Sequence, residues 1–216
     1  MPATPCEPIA GMQSVPLVAG EPASVSSSRA VGALGHSGGI VVTDLSVFSE
    51  AAWFSACGLP LERSDVTDAR AYLDALGVHP SVRIEAVASW EHAERVLRNP
   101  RWDPSWWQRE ESERRRLASG LKPQAGTSGI SAWLGIGVGP GHEIILGAAM
   151  AAAARAGVHD DALIRVAAGA AGLAAHDLLL ARSSELGEGQ VFMRKYQVFA
   201  GGRWPLGLLG SVFQLF

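Results

Sequence analysis

GHEIILGAAMAAAARAGVHDDALIRVAAGAAGLAAHDLLLAR, the stretch from Gly141 to Arg182, decides the reading of this chain. It predicts two Ala-rich helices, one from about His142 to Ala156 and one from about Asp160 to Leu186. Ala and Leu are among the strongest helix formers. Gly157 supplies the left-handed residue that a helix C-cap needs, and Asp160 and Asp161 suit the positive end of the next helix. So short a connection makes the helices antiparallel neighbours.

The turn sets a register. His142 lies 17 positions before His159, and His176 lies 17 after it. His142 and Glu143 are therefore expected level with His176 and Asp177, at the end of the hairpin away from the turn. Between the pairs the residues are mostly small, including Gly147, Ala151, Gly169 and Gly172. Small residues let two backbones approach closely, or leave room for a ligand.

Composition bounds the rest. At 216 residues, 48% apolar and 18% charged, the chain supports one domain with a sizeable core. A net charge of −3 gives no general electrostatic reason to bind nucleic acid. The run Arg114-Arg115-Arg116 follows Glu110, Glu111 and Glu113, which reads as a charged helix face. Cys6 and Cys57 form no CxxC pair, excluding a zinc ribbon or a thioredoxin-like motif. The N-terminus has no basic region with a continuous apolar stretch, and Arg155, Asp161, Arg165, His176 and Asp177 make the Ala-rich helices poor membrane spans. The expectation is a cytoplasmic protein with a small-molecule substrate and with neither nucleic acid nor membrane as partner.

Outward from the hairpin, residues 1–38 are rich in Pro, Ala, Ser and Gly with almost no charge, and read as a disordered or irregular arm. Residues 39–216 read as a single globular domain. His36-Ser37-Gly38-Gly39 predicts a turn into a short strand, Ile40-Val41-Val42. Phe48, Ala51, Ala52 and Phe54 fit a short helix closed by Gly58 and Pro60. A helix from Asp68 to Leu76, capped by Asp65 or Thr67, ends at Gly77. Val82 to Ala88 reads as a strand, and Ser89 caps a helix carrying Trp90, Ala93, Val96 and Leu97. Another helix runs from Pro104 to about Leu117, and residues 119–141 read as a long loop. Val191 to Phe199 alternates and reads as a strand, Arg203 to Gly207 as a turn or edge segment, and Ser211 to Phe216 as a final strand. The fold class expected is α+β: a mainly helical body with an Ala-rich antiparallel hairpin and a C-terminal β-hairpin.

Four constellations can carry chemistry. His142, Glu143, His176 and Asp177 offer two imidazoles and two carboxylates, able to pair as acid and base, or to bind a divalent metal ion through His142, His176 and Glu143. The alternative is a helix-end cap and a satisfied surface pair. The Glu-x-x-His spacing of a di-iron bundle is absent. The run from Gly135 to Gly141 precedes the predicted helix, where free amides can hold an anion, although no Gly-Lys-Ser/Thr follows. Trp102, Trp106 and Trp107 form either a partner surface or part of the core. Arg194, Lys195, Tyr196 and Arg203 either hold an anionic group or guard a sheet edge. The leading function is a small cytoplasmic enzyme of lyase, cyclase or metal-dependent oxygenase type, with Tyr196 and Arg203 orienting its substrate. The alternative is a non-catalytic accessory or partner-binding protein that uses the tryptophan-rich segment and the C-terminal hairpin.

Overall fold

The computed structural model describes residues 46–120, 127–183 and 189–216. The chain divides into two units, Met1–Ile40 and Val41–Phe216, and every described residue belongs to the second. The expected N-terminal arm, the turn at 36–39 and the strand at 40–42 lie outside the described residues. The fold is α+β. In chain order it runs α1 (Ser46–Ser49), α2 (Arg63–Ala75), β1 (Arg83–Ala86), α3 (Trp90–Leu97), β2 (Trp102–Asp103), α4 (Ser105–Gly120), α5 (Thr127–Arg155), α6 (Asp161–Ser183), α7 (Val191–Ala200), β3 (Pro205–Leu209) and β4 (Val212–Leu215).

The Ala-rich hairpin is α5 and α6. Gly157 takes φ +70°, and the Asp160 carboxylate accepts the N–H groups of Ala162 and Leu163 at 2.9 and 3.1 Å. Ala149, Ala153, Ala167, Ala171 and Ala174 are fully buried in one cluster with Ile145 and Leu178. By length and composition α6 is apolar enough to cross a membrane, but 61% of its apolar window is buried inside the fold, as in a core helix. Ser89 caps α3 as expected, its Oγ accepting the His92 N–H at 3.2 Å. The α2 helix starts five residues before the expected one. Asp65 does serve its start, but from inside the first turn, accepting the Glu62 N–H at 2.8 Å.

Three expectations are corrected. Val191–Ala200 is a helix, not a strand. Its buried residues are Val191, Phe192, Lys195, Val198 and Phe199, a stripe at helical spacing with no two members two residues apart. Its N-cap is Gln190, whose Oε1 accepts from Phe192 and Met193. Second, the segment read as a loop over 119–141 is helical from Thr127 onward, so the run from Gly135 to Gly141 lies inside α5 and is no loop ahead of a helix. At Gly141 a Cβ would sit 2.6 Å from the Phe48 ring, so glycine there admits α1 against the helix. Third, the C-terminal β-hairpin is real but built from β3 and β4, with Gly210 at φ +60° in its turn. Residues 203–207, read as a turn, supply the start of β3.

The sheet order is β1-β4-β3-β2, with β1 parallel to β4 and the other pairings antiparallel. A register shift between Pro205 and Gly207 marks a bulge, and Gly207 takes φ +121°. A side chain there would meet the indole nitrogens of Trp102 and Trp106 at 2.6 Å. The bulge sends Leu206 into a cluster with Trp90, Trp204 and Phe216, while Leu208 joins Tyr72, Trp106 and Phe213 in another. Trp90 and Phe216 meet edge to face at 5.3 Å, and Phe54 and Trp204 at 6.3 Å.

Candidate functional site

The inward stripe of α4 is Trp106, Glu110, Arg114 and Leu117, at spacings of four, four and three. Its ends are apolar and its middle is charged. Glu110 is 0% exposed, although the sequence pattern places it on a solvated face. Across from it stand Asp177 of α6, 0% exposed, and Lys195 of α7, 4% exposed.

These groups neutralise one another. Lys195 Nζ donates to Glu110 Oε2 at 2.8 Å and to Asp177 Oδ2 at 3.4 Å. Arg114 grips Asp177 with two parallel hydrogen bonds, Nε to Oδ1 at 2.7 Å and Nη2 to Oδ2 at 2.9 Å. Such a fork is the strongest pairing a carboxylate can make. Arg114 also binds Glu111, and its guanidinium stands 5.5 Å from the centre of the Phe192 ring. Tyr72 of α2 donates its hydroxyl to Glu110 Oε1.

The electrostatics follow from the partners. Burial pushes the Asp177 carboxyl up, but the hydrogen bonds of Arg114 and the charge of Lys195 outweigh it and hold the group at about 2. Burial, then the Glu110 charge, raises the Tyr72 hydroxyl well above its ordinary value. Asp177 is thus an anion and Tyr72 a neutral donor throughout the physiological range.

His176 sits at the rim. Its side chain is 29% exposed, and its Nδ1 faces Asp177 Oδ1 at 3.7 Å. That nitrogen is buried and has no hydrogen-bond partner among the described residues. His142 is exposed, and a side chain at Gly172 would meet its Nδ1 at 3.7 Å. Gly172 and His176 are one turn apart on α6, so both imidazoles lie along one face of the hairpin. The expected register is therefore offset by a single turn. Glu143 is exposed on α5. Among the described residues no group of three or more His, Cys, Asp or Glu side chains is placed to hold a metal ion, and His142, His176 and Glu143 form no such group.

The C-terminal candidates separate. Arg203 is 2% exposed and uses all five of its N–H groups inside the protein. Nε and Nη2 donate to Asp65 at 3.0 and 2.7 Å, Nη1 to the carbonyls of Ala56 and Leu59, and Nη2 to that of Pro60. It has no donor left for a substrate. Tyr196 is half-buried, edge-on to Trp53 at 5.8 Å. Lys195, its neighbour, is the residue that reaches Asp177. Trp102 and Trp106 pack together at 6.1 Å, while Trp107 is 40% exposed.

Comparison with known families, curated proteins and solved structures returns no match. The functional reading rests on the geometry of the site.

Sequence reasoning reached His142, His176 and Asp177 through the hairpin register. It placed Glu110 and Arg114 on a solvated helix face and Lys195 on a strand beside Arg194 and Tyr196, and it gave Tyr72 no chemistry. The available signal was the α4 stripe itself, since Glu110 and Arg114 share a line with Trp106 and Leu117.

Proposed function

We propose that the protein is a small-molecule enzyme in which His176 moves a proton, with Asp177 as its electrostatic partner. The carrying observation is the buried Nδ1 of His176, which among the described residues has no partner within hydrogen-bond distance and stands 3.7 Å from a carboxylate held ionised by Arg114 and Lys195. Buried polar atoms are nearly always hydrogen-bonded, and exceptions concentrate at working sites. Imidazole is the side chain best suited to exchange protons near neutral pH. A small shift of the ring brings Nδ1–H into hydrogen bonding with Asp177, which fixes the tautomer and stabilises the imidazolium formed when Nε2 takes a proton. The neighbouring His142 lies on the same face and can bind or orient the substrate. Proton transfer of this kind serves a lyase or a cyclase. The free thiol of Cys57 accords with a reducing compartment such as the cytoplasm.

The test is a panel of small metabolites screened for turnover and for thermal stabilisation, with His176→Ala and His142→Ala beside the wild type. A substrate is expected whose turnover falls at least about a hundredfold in His176→Ala, the usual scale of a general acid or base, while the melting temperature stays within a few degrees. Turnover unchanged in His176→Ala sinks the reading.

A second reading has one observation in its favour. Trp107 is 40% exposed on α4, and tryptophan is a frequent anchor at partner surfaces. A non-catalytic binding protein would lose its partner on Trp107→Ala and keep it on His176→Ala.

A further inference from the structure

A polar face of α4 flanking the inward stripe lines an open groove of about 880 Å³, within the size range of small-molecule sites. One wall is the end of α2 at Ala75 and Leu76, the other the start of α7 at Gln190 and Val191. The α4 residues facing it include Gln108, Arg109, Ser112, Glu113 and Arg116, all polar.

The groove cancels its own negative features. Glu113, the single acid in the lining, is gripped by Arg116 through two bonds of 2.7 Å and touched by Gln190 Nε2 at 3.4 Å. The hydrogen bonds from Arg116 are the main reason its carboxyl titrates below the usual range. The exposed carbonyls at the end of α2 are covered by Arg109, whose Nη1 donates to Leu76 O at 3.1 Å and to Gly77 O. Each guanidinium has five N–H groups. Arg116 uses two on Glu113 and Arg109 two on the carbonyls, which leaves three on each among the described residues. The lining carries two arginines against one paired carboxylate, a net of +1. The opening end of α7 adds the positive pole of a helix.

From these observations we infer that the groove is a binding site for a small polyanionic molecule, held between Arg109 and Arg116. The two residues are seven positions apart on α4, about 10 Å along the axis at 1.5 Å per residue. A ligand with two or more carboxylate or phosphate groups bridges them; a single anion reaches one. Ser112 lies between the arginines with its hydroxyl donated to the Gln108 carbonyl at 2.9 Å, and the side-chain amide of Gln108, one residue before Arg109, offers N–H groups to the ligand. The site is separate from His176, which is not among the residues that line the groove.

The experiment is isothermal titration calorimetry of the full chain with citrate, pyrophosphate and acetate. Citrate or pyrophosphate is expected to bind saturably at one site, and acetate at least tenfold more weakly. Which of the two binds more tightly distinguishes a carboxylate ligand from a phosphate ligand. Arg116→Gln is expected to weaken binding at least tenfold, and Ser112→Trp, which fills the groove, to abolish it. Both positions are exposed, and circular dichroism checks that the variants fold. Arg98→Gln, at the C-cap of α3, is the control for diffuse charge, and His176→Ala is expected to bind normally, which separates this site from the proposed catalytic one. The inference is overturned by absence of saturable binding, by acetate binding as tightly as citrate, or by Arg98→Gln weakening binding as much as Arg116→Gln.

Discussion

Two buried arrangements of charge hold this molecule together, and they are built on opposite plans. Around Arg203 one guanidinium meets one carboxylate and three backbone carbonyls, and every donor is used. Around Asp177 two cations share two buried carboxylates, and the arrangement opens at its rim through Arg114 and His176. The first is a clasp that ties the 56–60 segment to the start of α2. The second joins three helices and still presents a titratable ring to solvent. Equal burial therefore does not mean equal role: what separates them is whether a polar atom is left over.

Removing Lys195 is the harshest way to break this contrast. Lys195→Met leaves Glu110 and Asp177 with Arg114 as their only cation, and loss of one partner from a buried ion pair costs roughly 3–5 kcal/mol. Urea unfolding is expected to show a loss of that order without a change in slope. Next comes Arg203→Lys. A lysine cannot reproduce a five-bond fork, and hydrogen bonds to charged groups contribute about 1.5–3 kcal/mol each. A loss of roughly 2–3 kcal/mol is expected, together with faster proteolysis at the 56–60 segment.

Acid sharpens the comparison without mutation. The Asp177 carboxyl titrates at about 2 in the folded protein against an ordinary 3.8, so its ionised form stabilises the fold above pH 3.8. That contribution, about 2 kcal/mol, is lost as pH falls from about 4 towards 2. Asp177→Asn is expected to flatten this part of the stability profile at the expense of neutral-pH stability. The smallest effect belongs to Tyr72→Phe, which takes one donor from the buried Glu110 carboxylate and costs about 1.5 kcal/mol, the low end for a hydrogen bond to a charged group. Because the hydroxyl titrates well above its ordinary 10, the wild type loses stability as pH rises past 10, and the phenylalanine variant is expected to lack that loss.

How much of this was legible in the sequence depended on whether neighbours in space are neighbours in the chain. The α5–α6 hairpin was legible because its caps, Gly157 and Asp160, are local and its helix formers are unopposed. Ser89 and the start of α4 were legible for the same reason. The α7 helix was misread although Val191, Phe192, Lys195, Val198 and Phe199 recur at helical spacing, and packing of that stripe against α2 and α6 holds the helix. The strand β3 was missed because both its faces are buried, so it shows no alternation, and because the bulge at Gly207 breaks its register. At the site, Asp177 and His176 followed from the hairpin. Lys195 did not, since its contacts with Glu110 and Asp177 cross 85 and 18 positions of chain. Arg203 was read as a substrate clamp, and the carbonyls that saturate it come from a segment some 143 residues earlier.

The parallel pairing of β1 with β4 sets Arg83 beside Val212. The two strands are neighbours in the sheet, so β1 stays unpaired until β4 is available. The turn of the Ala-rich hairpin, by contrast, is closed by local groups at Gly157 and Asp160. Long-range pairings form slowly, and a domain waiting for them exposes its apolar surface. Until the sheet closes, Trp90 lacks Phe216 and Tyr72 lacks Phe213, the partners that pack against them in the fold. The period of greatest exposure to aggregation ends when the final hairpin emerges from the ribosome.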